Sequence, residues 1–128
     1  MFNIVGIDHL VLRTRDSKKL VEFYCTVVGC RVEREQPKIG LIQLRAGDSL
    51  IDILAVDGEC VPGSDQANLD HFCLRVEPFS EGDIRQHLSQ YGIDGSELKR
   101  VYGAEGLGPA IYINDPDGNV VELKGPPE

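Results

Sequence analysis

The chain has 128 residues, enough for one domain that buries its apolar side chains without a disulfide framework or a structural metal. Its 21 acidic residues outnumber 13 basic ones, giving a net charge of −8. This excess weighs against nucleic acid or an anionic membrane surface as a partner and leaves a small molecule as the expected one. No segment approaches the ~18 apolar residues of a membrane span, and "MFNIVGIDHL" lacks a basic leader, so a cytoplasmic location is expected. Cys25, Cys30, Cys60 and Cys73 form no CxxC pair and read as reduced thiols.

In chain order, an extended run over residues 4–13 leads to Asp16, an N-cap candidate. The stretch "SKKLVEFYCTVVG" then places Leu20, Phe23, Tyr24 and Val27 at helical spacing and closes on Gly29 as a C′ glycine. Three extended runs follow, "RVERE", "GLIQLRA" and "SLIDILAV", the last two joined at Gly47 and Asp48. The first half therefore reads βαβββ.

The stretch "DGECVPGSDQA" has no apolar period and reads as a linker over residues 57–67. Beyond it, "NLDHFCLRV" is extended, Ser80 caps a helix in "SEGDIRQHLSQYG", and Gly92 ends it. The runs "ELKRV", "PAIYIN" and "NVVELK" complete a second βαβββ unit, with "DPDG" as the last turn and "YGAEGLGP" (102–109) expected to be a flexible loop over a site.

The halves repeat each other. Residues 7–13 read "IDHLVLR" and 69–75 read "LDHFCLR", while "IQLRAGDSLIDIL" aligns with "IYINDPDGNVVEL" once one extra turn residue is allowed. The expected fold class is α+β: two tandem βαβββ modules, 1–56 and 68–128, forming a cup-shaped mixed sheet within one domain, with the helices outside.

Strand alternation sorts the side chains onto two faces. Leu10, Leu12, Ile42, Leu44, Ile51, Ile53, Phe72, Leu74, Ile111, Ile113, Val121 and Leu123 share the apolar one. The opposite face carries His9, Arg13, Gln43, Arg45, Asp52, His71, Cys73, Arg75, Tyr112 and Glu122, a set suited to a wet concave cavity. Any one histidine or acid on a strand is more often structural than functional. Two histidines at one repeat position and two carboxylates, Asp52 and Glu122, at another together suit a divalent metal of the Mn, Fe, Co, Ni or Zn group.

"IDHLVL", "EFY", "LDHFCL" and "IYINDPDGNVVEL", in this order, make the chain resemble the vicinal oxygen chelate superfamily. That group includes glyoxalase I, bleomycin-resistance proteins, fosfomycin-resistance thiol transferases, methylmalonyl-CoA epimerase and extradiol dioxygenases. The resemblance implies metal ligation by His9, His71 and Glu122, with Asp52 where glyoxalase I has a glutamate. Aspartate is one methylene shorter, so it reaches a metal through water or not at all.

The reading favoured on this basis is a metal-dependent glyoxalase-like lyase or isomerase. Its substrate would be an α-hydroxycarbonyl compound or thiol conjugate, held by two neighbouring oxygens. Glu122 is the expected base, with Tyr112 as a hydrogen-bond donor to substrate. Arg13, Arg45 and Arg75 would bind an anionic group such as that of a glutathione co-substrate, and Gln43 and Cys73 would line the cavity. The alternatives are a thiol transferase or dioxygenase on the same triad, or a metal-free binding protein of the bleomycin-resistance type. The superfamily also implies a homodimer.

Overall fold

A computed structural model describes residues 1–57, 67–114 and 118–128. Nearly all of the expected linker, and three of the four residues of the "DPDG" turn, lie outside the described residues. The elements run β1 (Asn3–Thr14), α1 (Ser17–Glu22), β2 (Arg31–Gln36), β3 (Leu41–Ala46), β4 (Ser49–Ala55), β5 (Leu69–Glu77), α2 (Glu81–Ser89), β6 (Lys99–Gly103), β7 (Gly106–Asn114) and β8 (Val120–Lys124). This is the α+β, doubled βαβββ order read from the sequence. Among the described residues no helix is long and apolar enough to cross a membrane.

The chain forms two compact units, one of residues 9–71 and the other of residues 1–8 with 72–128. The boundaries fall inside β1 and β5.

In the 9–71 unit the strand order is β2-β3-β4-β1. The second part of β1 runs parallel to β4, with His9 opposite Leu50 and Val11 opposite Asp52. β3 is antiparallel to β4 and sets Gln43 directly across from Asp52. Asp16 caps α1 by accepting from the Lys19 amide at 3.1 Å. The helix is shorter than its spacing suggests: from Phe23 to Val28 it widens into a π-turn before Gly29 closes it at φ +100°. The β-branched Thr26 and Val27 lie in this stretch, where crowding against the preceding turn disfavours the α form.

In the other unit the order is β5-β8-β7-β6. Ser80 caps α2 by accepting from the Asp83 amide, and Glu81 and Asp83 complement the positive end of the helix. Ile84 and Leu88 recur at the four-residue helical spacing and pack on Val76, Ile111, Val121 and Leu123, with Phe72, Leu74 and Ile113 beside them. The apolar face expected for this half is therefore the one α2 covers. Ile84 alone is only 1% exposed, a burial that stabilises by about 1.5–3 kcal/mol.

The loop expected over 102–109 is instead a tight hairpin. β6 and β7 pair from Lys99–Ala110 to Gly103–Gly106, turning at Ala104 and Glu105. Gly106 supplies a backbone at φ +124°, while Gly103 and Gly108 are needed for close contact. A Cβ on Gly103 would come within 2.4 Å of Asp8 Oδ1 and 2.8 Å of Lys124 Cε, and one on Gly108 within 2.5 Å of the Pro126 carbonyl.

Candidate functional site

Of the residues expected on a wet polar face, His9, Gln43, Asp52, Arg75 and Glu122 are buried, whereas Arg13, Arg45, His71 and Tyr112 are partly exposed. Burial of this kind is tolerated only with hydrogen-bond or charge partners.

In the 9–71 unit, β1 and β5 bring His9 and His71 together, ring centroids 5.4 Å apart and the planes 86° from parallel. This edge-to-face approach places two imidazoles from the repeated motifs side by side. His71 Nδ1 lies 2.6 Å from Asp70 Oδ1. The other Asp70 oxygen receives Arg13 Nη2 at 2.8 Å. The hydrogen bond from His71, reinforced by the Arg13 charge, holds the Asp70 carboxyl below its ordinary value despite partial burial.

Arg13 is thus engaged with Asp70, and Arg45 with Glu33, Nη2 to Oε2 at 2.8 Å. Gln43 donates its amide to both oxygens of Asp52, at 3.2 and 3.1 Å. The carboxylate at the fourth expected ligand position is therefore occupied by an amide from the neighbouring strand.

The second unit repeats that device with different chemistry. Tyr112 lies directly across from Glu122, and its hydroxyl donates to Glu122 Oε1. Lys99 Nζ sits 5.2 Å from the centre of the Tyr112 ring, over its face. Tyr112 thus spends its proton on Glu122, where sequence reasoning had it facing substrate. Cys73 is fully buried; burial, and then the nearby Glu122 charge, push its thiol far up, so it stays protonated. Arg75 donates Nε to Glu105 at 2.6 Å and Nη2 to Glu77 at 2.8 Å.

Three buried or half-buried charges escaped the sequence reading. Asp8 accepts from the Ala104 amide at 2.7 Å, and Lys124, fully buried, donates Nζ to the Gly106 carbonyl at 3.0 Å. Asp70 is the third. A signal for two of them was present: both histidines follow an aspartate in the repeated "DH" pair. The described residues include candidate metal ligands, among them His9, His71 and Glu122.

Comparison with known proteins identifies the family. The family model for the Glyoxalase/Bleomycin resistance protein/Dioxygenase superfamily matches residues 6–123. The chain is 30% identical over 125 residues to the glyoxalase domain-containing protein RDO1 of Mycosarcoma maydis, covering 94% of this chain and 68% of that one. It is 27% identical over 120 residues to biphenyl-2,3-diol 1,2-dioxygenase 3 of Rhodococcus globerulus, covering 92% and 62%. This chain therefore spans less than two thirds of that dioxygenase.

Among solved structures, the Mn(II)-bound glyoxalase of Novosphingobium aromaticivorans aligns with a TM-score of 0.71 at 24% identity, over 98% of this chain and 39% of that one. Methylmalonyl-CoA epimerase of Mycobacterium tuberculosis aligns with a TM-score of 0.65 at 15% identity, over 98% and 90%. These two likenesses concern the fold. With a family model matched across almost its full length and a doubled βαβββ order to go with it, the chain belongs to the glyoxalase/bleomycin resistance protein/dioxygenase superfamily.

Proposed function

We propose that the protein is a metal-dependent, glyoxalase-like lyase or isomerase, with His9, His71 and Glu122 as ligands of one divalent ion. The observation that carries this reading is the 5.4 Å approach of the two motif histidines, buried or nearly so, on neighbouring strands. Two imidazoles and one carboxylate form a donor set that suits Mn, Fe, Co, Ni or Zn and leaves positions open. Such an ion, when bound, supplies Lewis-acid polarisation of two adjacent substrate oxygens.

The chain's own groups divide the remaining work. Glu122 would hold the ion and, as a carboxylate within reach of the substrate carbon, would be the proton acceptor. Tyr112 holds Glu122 through its hydroxyl and keeps the carboxylate oriented between turnovers. Asp52, with both oxygens on Gln43, contributes through water rather than as a direct ligand. Arg45, paired with Glu33, and Arg75, paired with Glu77 and Glu105, would bind an anionic conjugate such as glutathione by exchanging those carboxylates for it, while Arg13 stays on Asp70.

The engagement of Asp52 also supports a second reading. Two histidines and one carboxylate with open positions are the ligand set of non-haem iron oxygenases, and one relative is a biphenyl-diol dioxygenase. The chain is further proposed to act as a homodimer in the cytoplasm. Ile4, Val5 and Ile7 in the first half of β1 are 62%, 61% and 57% exposed, which supports pairing with a second copy.

Metal analysis of the purified protein beside a His9→Ala, His71→Ala double variant tests the core of the proposal. Metal bound by the parent and lost in the variant is expected. Equal content in both, or none in either after supplementation, would sink it. Isomerisation of the methylglyoxal–glutathione adduct, set against oxygen uptake with a catechol, then separates the two reactions.

A further inference from the structure

We infer that Asp70 is a positioning residue that fixes the tautomer and orientation of His71, keeping Nε2 as the nitrogen presented to a metal. This rests on the metal reading above. Successive strand residues point to opposite faces, so regular geometry keeps the side chains of neighbours apart. Close to the start of β5 that rule is broken: Asp70 Oδ1 lies 2.6 Å from His71 Nδ1.

An ionised carboxylate only accepts, so Nδ1 carries the proton of this bond, and in the neutral ring Nε2 holds the lone pair. A ligating histidine works in this form, with its other nitrogen fixed by an outer partner.

Asp70 is itself held. Its second oxygen takes Arg13 Nη2 at 2.8 Å. Arg13 is tied to the segment preceding β5 by three more bonds: Nη1 donates to the Ala67 carbonyl at 2.7 Å, its amide donates to the Asn68 carbonyl at 2.6 Å, and its own carbonyl accepts from Asn68 Nδ2 at 2.6 Å. A bond to one carboxylate oxygen leaves it free to swing, whereas occupied oxygens on both sides hold it in one plane. The chain of contacts from Asn68 through Arg13 and Asp70 therefore ends on one imidazole nitrogen.

In the first copy of the "DH" pair, Asp8 Oδ1 also accepts from the Ala104 amide, at 2.7 Å.

The test uses the full-length protein with Asp70→Ala and Asp70→Glu variants. Imidazole nitrogen NMR of the metal-free protein at mildly alkaline pH reads the tautomer of His71, with His9 as an internal control for general damage. Calorimetric titration with Mn2+ alone reads affinity. The unaltered protein is expected to show Nδ1–H at His71. Asp70→Ala should lose that preference, with His9 unchanged, and bind Mn2+ roughly 10–100-fold more weakly; Asp70→Glu should recover part of both. An Nε2–H tautomer in the unaltered protein, or unchanged affinity in Asp70→Ala, would overturn the role of Asp70. An unaltered protein that holds the Nδ1–H form but binds none of the candidate metals would instead overturn the metal reading on which that role depends.

Discussion

The bond from Tyr112 to Glu122 yields a quantitative prediction. Glu122 is 1% exposed, so no bulk water can replace the phenol hydroxyl once Tyr112→Phe removes it. A hydrogen bond to an ionised group contributes about 1.5–3 kcal/mol, and loss of a donor to a buried acceptor falls in the upper half of that range. With a urea slope of roughly 2 kcal/mol/M for a domain of this size, the midpoint should fall by about 1 M. The clean measurement is a double-mutant cycle in chelator-treated buffer: Tyr112→Phe, Glu122→Leu, and both together. A coupling of about 1.5–3 kcal/mol at unchanged slope is expected, because each single change already breaks the same bond. Additive losses, with coupling under about 0.5 kcal/mol, would refute the assignment of Tyr112 as the residue that holds Glu122. Gln43→Leu with Asp52→Leu repeats the cycle in the other unit, where the amide meets both carboxylate oxygens.

Three further outcomes follow from the packing. Cys73, buried and with its thiol pushed up, should resist iodoacetamide in the native protein and label only on denaturation, read by peptide mass spectrometry; rapid native labelling would contradict its burial. Ile84→Ala removes the centre of the α2 contact and should cost about 2–5 kcal/mol in urea or thermal melts; a loss below about 1 kcal/mol would show that α2 does not carry this core. Gly103→Ala should destabilise by about 1–3 kcal/mol, since its methyl meets Asp8 and the Lys124 stem, whereas Gly82→Ala, with nothing near its Cβ, serves as the control in the same melts.

The repeat determined much of this protein without any coordinates. Alternation of period two placed His9 and His71 on equivalent strands and assigned Phe72, Leu74, Ile111, Ile113, Val121 and Leu123 to one apolar face, the face that Ile84 and Leu88 cover. Capping chemistry located both helix starts, at Asp16 and Ser80, and the left-handed Gly29 and Gly92 mark where the helical segments end. These features are local: each depends on a few neighbouring residues and on backbone sterics, which any reader of the chain can apply.

Tertiary structure decided which side chains meet. Arg13, Arg45 and Arg75 look alike in the sequence, each two to four residues from a polar strand position, yet each is paired with a different carboxylate, and two of those carboxylates, Asp70 and Glu33, lie on other strands. Tyr112 and Gln43 turned out to serve Glu122 and Asp52 because strand register puts them directly opposite. The residues 102–109 looked like a loop because glycine is common in loops, but here the absent Cβ atoms are what let Asp8 and Lys124 pack against the hairpin. A motif fixes which groups are available, while the partners they find depend on long-range packing: Arg13 reaches Asp70 across 57 residues of sequence, and the Ala104 amide reaches Asp8 across 96.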